Sequence, residues 1–271
     1  SDQSPAVRIA VIGALSAIDP KSKESIAAFL DLSADIDPAV RRAAGRALAK
    51  IADDDIIAAL LKRLKDPSPQ IRRGAADALR EFNKVPAPAL PVLAEMLDDP
   101  DSGARDAAYL ALSRSKREVV PYLTAKAKAG GMAGVELAVD LLRRHGPDAR
   151  EAIPVLRDIL LTCGLPTLQQ RTARTLAAIG PEALPDLRWA LKFDDPNARR
   201  AAAMAIAGMG TAANDAVDDM LALTEDKEPR VRESAVLMLR GFARKRPHVI
   251  ASLTKTLKDG DRSVRRAAAD I

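Results

Sequence analysis

The chain has 271 residues, 48% hydrophobic and 29% charged, enough to bury a core in one elongated domain or two compact ones. Its net charge of +5 comes from 42 basic and 37 acidic residues mixed along the chain, which excludes a basic tail or block built for nucleic acid. One cysteine, Cys163, excludes an internal disulfide and a cysteine-based zinc site, and aromatics at 3% leave the packing to alanine and leucine.

In chain order, one pattern keeps returning. It starts as "SPAVRIAVIGAL" at Ser4, then "DPAVRRAAGRAL" at Asp37, "SPQIRRGAADAL" at Ser68 and "DSGARDAAYLAL" at Asp101. It resumes as "DPNARRAAAMAI" at Asp195, "EPRVRESAVLML" at Glu228 and "DRSVRRAAAD" at Asp261. Each copy places an arginine in one slot: Arg8, Arg41, Arg72, Arg105, Arg199, Arg232 and Arg265. Two weaker copies fill the gap, with Val135 and Gln169 in the slot. The copies recur with a period near 33 residues, as from Arg8 to Arg41 and from Arg72 to Arg105.

A second pattern precedes the slot. "ALPVLAEML", "VVPYL", "AIPVLRDIL" and "ALPDLRWAL" hold Pro91, Pro121, Pro154 and Pro185 in register. Apolar residues at i, i+3, i+4 and i+7 predict helices throughout, and no period-two run predicts a strand. Each unit therefore reads as a first helix, a turn, a second helix and a turn. Asp37 and Asp195 suit the N-cap of a second helix, with Pro38 and Pro196 at its first position, where a missing N–H costs nothing. In the first helix the proline lies deeper and is expected to kink the helix or shorten its first turn. Gly130, Gly131 and Gly134 predict an irregular turn at 129–136 and a local change of curvature there.

The D-P-x-V-R-x-x-A-x-x-A-L of the second helix and the A-[LI]-P-x-L of the first resemble HEAT repeats, specifically the short variety of phycobilisome-lyase-like proteins. The resemblance covers essentially the whole chain and departs most at Val135 and Gln169. It implies an all-α, right-handed solenoid of about nine helix pairs, in one continuous domain over 1–271. It also implies that the slot arginine pairs with an aspartate of an adjacent repeat. Arg8, Arg41, Arg72, Arg105, Arg199, Arg232 and Arg265 are accordingly expected to form a structural ladder with Asp37 and Asp195.

The resemblance further implies that second helices line the concave face. Arg42, Arg73, Arg200 and Arg266 follow the slot on the exposed side, and Arg46, Arg80, Arg143, Arg174 and Arg240 share that angular position. Two readings stay open for them: a solvated face, or a surface for an acidic protein partner. A nucleic-acid track is disfavoured, because Asp77, Asp106, Glu136, Asp140 and Glu233 interrupt it and stacking aromatics are missing.

The sequence carries little other chemistry. His145 and His248 have no partner at metal-ligand spacing. No H-E-x-x-H, G-x-S-x-G, Walker or Rossmann motif occurs. Cys163 precedes Gly164 at a helix end, and "AGMGTAAND" reads as a helix end and a new start. The expectation is a non-enzymatic scaffold binding a protein, with no cofactor and no membrane insertion. Three alternatives remain: an assembly element packing through its ends, a bilin-lyase-like subunit and a nucleic-acid binder. Copies that begin at Ser4 and stop at Ile271 suggest a piece of a larger protein or self-association through the end repeats.

Overall fold

Nine second helices among the described residues, each starting at a copy of the slot pattern, organise the molecule. The structure is a computed structural model that describes residues 4–242 and 246–270. The second helices are α1 (Pro5–Ile18), α3 (Pro38–Ile51), α5 (Pro69–Arg80), α7 (Ser102–Leu112), α9 (Met132–His145), α11 (Pro166–Ile179), α13 (Pro196–Gly208), α15 (Pro229–Leu239) and α17 (Arg262–Ala269). Between them lie the first helices α2 (Lys23–Leu32), α4 (Asp54–Arg63), α6 (Ala89–Glu95), α8 (Val120–Ala129), α10 (Ile153–Thr162), α12 (Leu184–Ala190), α14 (Val217–Ala222) and α16 (Pro247–Thr256). No strand occurs among the described residues, and the fold class is an all-α solenoid.

Local sequence sets the helix starts. The Asp37 carboxylate accepts from the amides of Ala39 and Val40 at 2.8 and 3.2 Å. Asp53, Asp101, Asp195 and Asp261 cap α4, α7, α13 and α17 in the same way. Proline fills the start of α3, α5, α11, α13 and α15, where no hydrogen bond is lost. Three of the four first-helix prolines accompany a shortened first turn, whereas α6 begins at Ala89, two residues before Pro91, with no 3-10 turn before it. The α-helical part of α8, α10 and α12 begins one residue before Pro121, Pro154 and Pro185, and a 3-10 turn precedes each. Gly164 and Gly210 take left-handed backbone just after α10 and α13, as the helix-end reading of both stretches required.

Packing rests on small residues. Ala44, Ala75, Ala76, Ala107, Ala108, Ala202 and Ala203 are buried on second helices, beside Leu48, Leu79, Leu112 and Ile206. At Gly74 the approach is closer still: a Cβ there would stand 2.3 Å from the carbonyl oxygen of Ser33.

Contacts divide the chain into two compact units, Ser1–Leu141 and Leu142–Ile271. In the first, α3 packs between α1 and α5, and α5 packs on α7. In the second, α11 packs on α13, α13 on α15 and α15 on α17. The division falls inside α9. Just before it, in the first unit, the glycine segment separates α8 from α9. α8 ends at Ala129, Gly130 is extended, and α9 begins at Met132. No arginine fills the slot in α9, and a carboxylate from elsewhere caps this helix. Asp98 accepts from the amides of Gly131 at 2.9 Å and Gly134 at 2.7 Å, and from Lys126 at 3.1 Å.

Candidate functional site

The slot arginines form a ladder, but through different carboxylates from those the sequence suggested. Arg8 meets Asp35 at 2.7 and 2.8 Å, and Arg72 meets Asp99 at 2.7 Å through two nitrogens. Arg199 pairs with Asp226 and Arg232 with Asp259 in the same forked manner. These aspartates stand six residues before the next repeat's slot and two before its N-cap. Each also accepts the amide of the N-cap residue, as Asp35 does from Asp37 and Asp99 from Asp101. The same arginine turns its third nitrogen to carbonyls of its own turn, such as Asp66 and Pro67 for Arg72. One guanidinium therefore ties two successive turns together.

Four residues depart from the expected ladder: Asp37, Arg105, Arg265 and Asp195. Asp37 caps α3 and takes no arginine, because its oxygen already faces the free amides of that helix. Arg41 pairs with an aspartate of the next repeat as expected, reaching past the turn to Asp77 on α5, at 2.9 Å. Arg105 and Arg265 bind only carbonyls of their own turns, since residue 129 is an alanine and no repeat follows Arg265 within the described residues. Asp195 joins the ladder only where the arginine is missing, accepting from Gln169 at 2.5 Å. Gln169 is fully buried and its Oε1 has no hydrogen-bond partner, so it replaces arginine imperfectly.

The ladder shifts its own titrations. Burial pushes Asp99 up, but the Arg72 hydrogen bonds, the Asp101 amide and the charges of Arg72 and Arg105 outweigh it, so its carboxyl lies below the ordinary range. Asp35 is lowered by the same balance. For Asp259 the Arg232 hydrogen bond is the largest influence, and it too is lowered.

The residues after the slot behave differently. Arg42 and Arg73 are exposed, and neither makes a hydrogen bond or ion pair with a protein group. Arg46 is exposed but pairs with Glu81 at 3.1 Å. Arg80 is half-buried beside Asp77 and Glu81, at 3.8 and 3.7 Å. Arg200 donates to Ser234 at 3.2 Å. Arg143, Arg174 and Arg240 are exposed, Arg240 in the 3-10 turn after α15. Asp77, expected among the exposed acids, is buried under Arg41. Tyr109 donates to Asp140 at 2.5 Å.

Clefts open between second helices within each unit. One is lined by Arg42, Arg73, Arg80, Asp106 and Leu110 on α3, α5 and α7. Another lies between α11 and α13, with Gln170, Arg200 and Met204 in its wall. A third lies between α15 and α17, around Glu233, Leu237 and Arg266. The histidines lie elsewhere. His145 ends α9 half-buried, and burial lowers its pKa against the pull of Asp148. His248 sits 3.7 Å from Asp218.

The family model for HEAT repeats matches residues 26–113, 153–240 and 208–271. The chain is a HEAT-repeat protein. The match is to HEAT repeats at large and does not distinguish the phycobilisome-lyase-like variety. No curated protein sequence matches the chain. Among solved structures, the karyopherin Kap121p bound to the extreme C-terminus of the protein phosphatase Cdc14p is similar at TM-score 0.68 and 15% identity, covering 100% of this chain and 36% of that one. Kap95 in its complex with Nup1 is similar at TM-score 0.60 and 14% identity, covering 99% of this HEAT chain and 43% of Kap95. A homology model of the AP-3 complex gives 0.52 and 15%, covering 98% and 54%. This HEAT protein thus spans about a third to a half of the length of these neighbours, and at such identities the likeness is one of fold. No helix among the described residues is long and apolar enough to cross a membrane.

Proposed function

We propose that this HEAT protein is a non-enzymatic interaction scaffold that holds a segment of a partner protein against the exposed face of its second helices. The observation carrying this reading is the pair Arg42 and Arg73. They occupy one position on adjacent second helices, are exposed, and have no protein partner. An ion pair that serves only the fold would be satisfied within the chain, as every ladder pair is. The clefts between second helices support the reading, since a stack of helices offers extended surface rather than a closed pocket. The likeness to Kap121p, which binds the C-terminus of Cdc14p, agrees with a segment as the cargo. Asp106 and Glu233 on this face argue against a nucleic-acid track.

Affinity capture tests the proposal. Wild type runs beside Arg42→Glu/Arg73→Glu/Arg200→Glu and beside a variant with Lys62 and Arg188 on first helices reversed to Glu. The second-helix triple variant should lose its captured proteins while the first-helix variant keeps them, and added salt should weaken wild-type capture. Capture indifferent to the triple variant would move the site off this face.

A further inference from the structure

The cleft over α3, α5 and α7 has a charge order that its lining residues do not neutralise among themselves. Arg42, Arg73 and Asp106 each follow the slot on their own helix, so they form one row across three helices. None of the three has a hydrogen bond or ion pair within the protein. The other charges lining the cleft are paired, Arg41 and Arg80 with Asp77, and Asp101 beside it is taken up by the cap of α7. What remains, read from α3 to α7, is positive, positive, negative, around a cleft of about 170 Å³.

The floor supports this row. Gly103 has no side chain, and a Cβ there would stand 3.1 Å from Nη1 and 3.3 Å from Cδ of Arg73. The exposed Arg73 side chain therefore passes over the start of α7. Leu110, one turn beyond Asp106, is 43% exposed and forms an apolar ledge at the negative end.

We propose that this cleft binds an extended segment bearing two acidic side chains and then a basic one, at spacings of three residues; this rests on the scaffold reading above. Packed helices lie about 8–10 Å apart. A polyproline-II segment turns once in three residues and advances about 9 Å per turn. Residues i, i+3 and i+6 of such a segment face the same way and meet α3, α5 and α7 in step. The acidic side chains meet Arg42 and Arg73, whose planar forks suit carboxylates. The basic residue, a lysine, sets its ammonium on Asp106 and its methylene stem on Leu110. A wholly acidic strand, or a phosphate backbone, would bring like charge against Asp106. This row thus selects for charge order, not for negative charge alone.

The test uses the full chain at low ionic strength and fluorescence anisotropy. Four labelled peptides share alanine–proline spacers: Glu-x-x-Glu-x-x-Lys, its reverse Lys-x-x-Glu-x-x-Glu, Glu-x-x-Lys-x-x-Glu, and Glu-x-x-Glu-x-x-Glu. One of the first two should bind about tenfold tighter than the central-lysine peptide, because the misplaced charges turn two attractions into repulsions. Arg73→Glu should erase that preference. Asp106→Lys should transfer the preference to the all-glutamate peptide, and unchanged melting of both variants keeps the comparison fair. Equal binding of all four, no binding of any, or a preference indifferent to Asp106→Lys would overturn the inference. If those results come with protein capture that still depends on Arg42 and Arg73, the scaffold reading stands and only the charge-order inference falls. Preference for an oligonucleotide over every peptide would overturn both.

Discussion

At the scale of single residues, the slot arginine and its successor divide the work between fold and surface. Arg199 is 5% exposed and is held by both oxygens of Asp226 and by carbonyls of Phe193 and Asp194. Its removal leaves a carboxylate without its counter-charge in the next turn. Arg199→Ala should cost about 1–3 kcal/mol by denaturant unfolding. Arg105 has only the carbonyls of Asp99 and Pro100, so Arg105→Ala should cost clearly less. Equal losses would show that the carboxylates contribute nothing. Glycines give a second contrast. A Cβ at Gly13 in α1 would meet nothing within 4 Å, so Gly13→Ala should stabilise by up to about 1 kcal/mol. At Gly134 a Cβ would stand 2.4–2.5 Å from the Asp98 carboxylate. Gly134→Ala should therefore destabilise by about 1–3 kcal/mol, losing the cap on α9 despite the better helix former. Thermal melts of the two variants moving in the same direction would refute this.

At the scale of elements, much is legible in the sequence because the signals are local. The N-cap aspartates and the prolines at the starts of second helices act within a few residues of themselves. The ladder's true carboxylates are harder to read, although a signal exists. Asp35, Asp99, Asp226 and Asp259 each stand six residues before an arginine slot. The more conspicuous Asp-Pro dipeptide points instead to Asp37, whose oxygen is taken by its own helix. Asp98 capping α9 is invisible for another reason. Its partners lie 33 and 36 residues away, and only the stacking of repeats brings them together. The exposed row is partly legible: Arg42 and Arg73 follow from helical angle, whereas the burial of Asp77 depends on Arg41 reaching past its expected partner.

At the scale of the whole molecule, turns tied to turns imply a common response to acid. The carboxyls of Asp35, Asp98, Asp99, Asp219 and Asp259 all titrate below the ordinary value in the folded chain. Such groups add stability that is complete above the unfolded carboxylate pKa and is lost as pH falls through the folded one. His145, buried towards its neutral form, adds to the loss in acid. The melting temperature should decline slightly as pH falls through about 6.5, where His145 protonates in the unfolded chain, and fall steeply below about pH 4 as the carboxylates protonate. A melting temperature that rises on acidification would contradict the ladder's electrostatics.

The central claim is that the second-helix face is where a partner protein binds, and site-specific photo-crosslinking tests it most directly. Gln70 lies at the start of α5, exposed, at the position that Gly103, Thr167, Asn197 and Ser263 hold in the clefts of other second helices. Glu95 is exposed at the end of the first helix α6. A photoreactive side chain at residue 70 should yield a discrete cross-linked partner polypeptide, lost when Arg42 and Arg73 are changed to Glu, and the same group at residue 95 should yield none. A partner adduct at residue 95 with none at residue 70 would contradict the account.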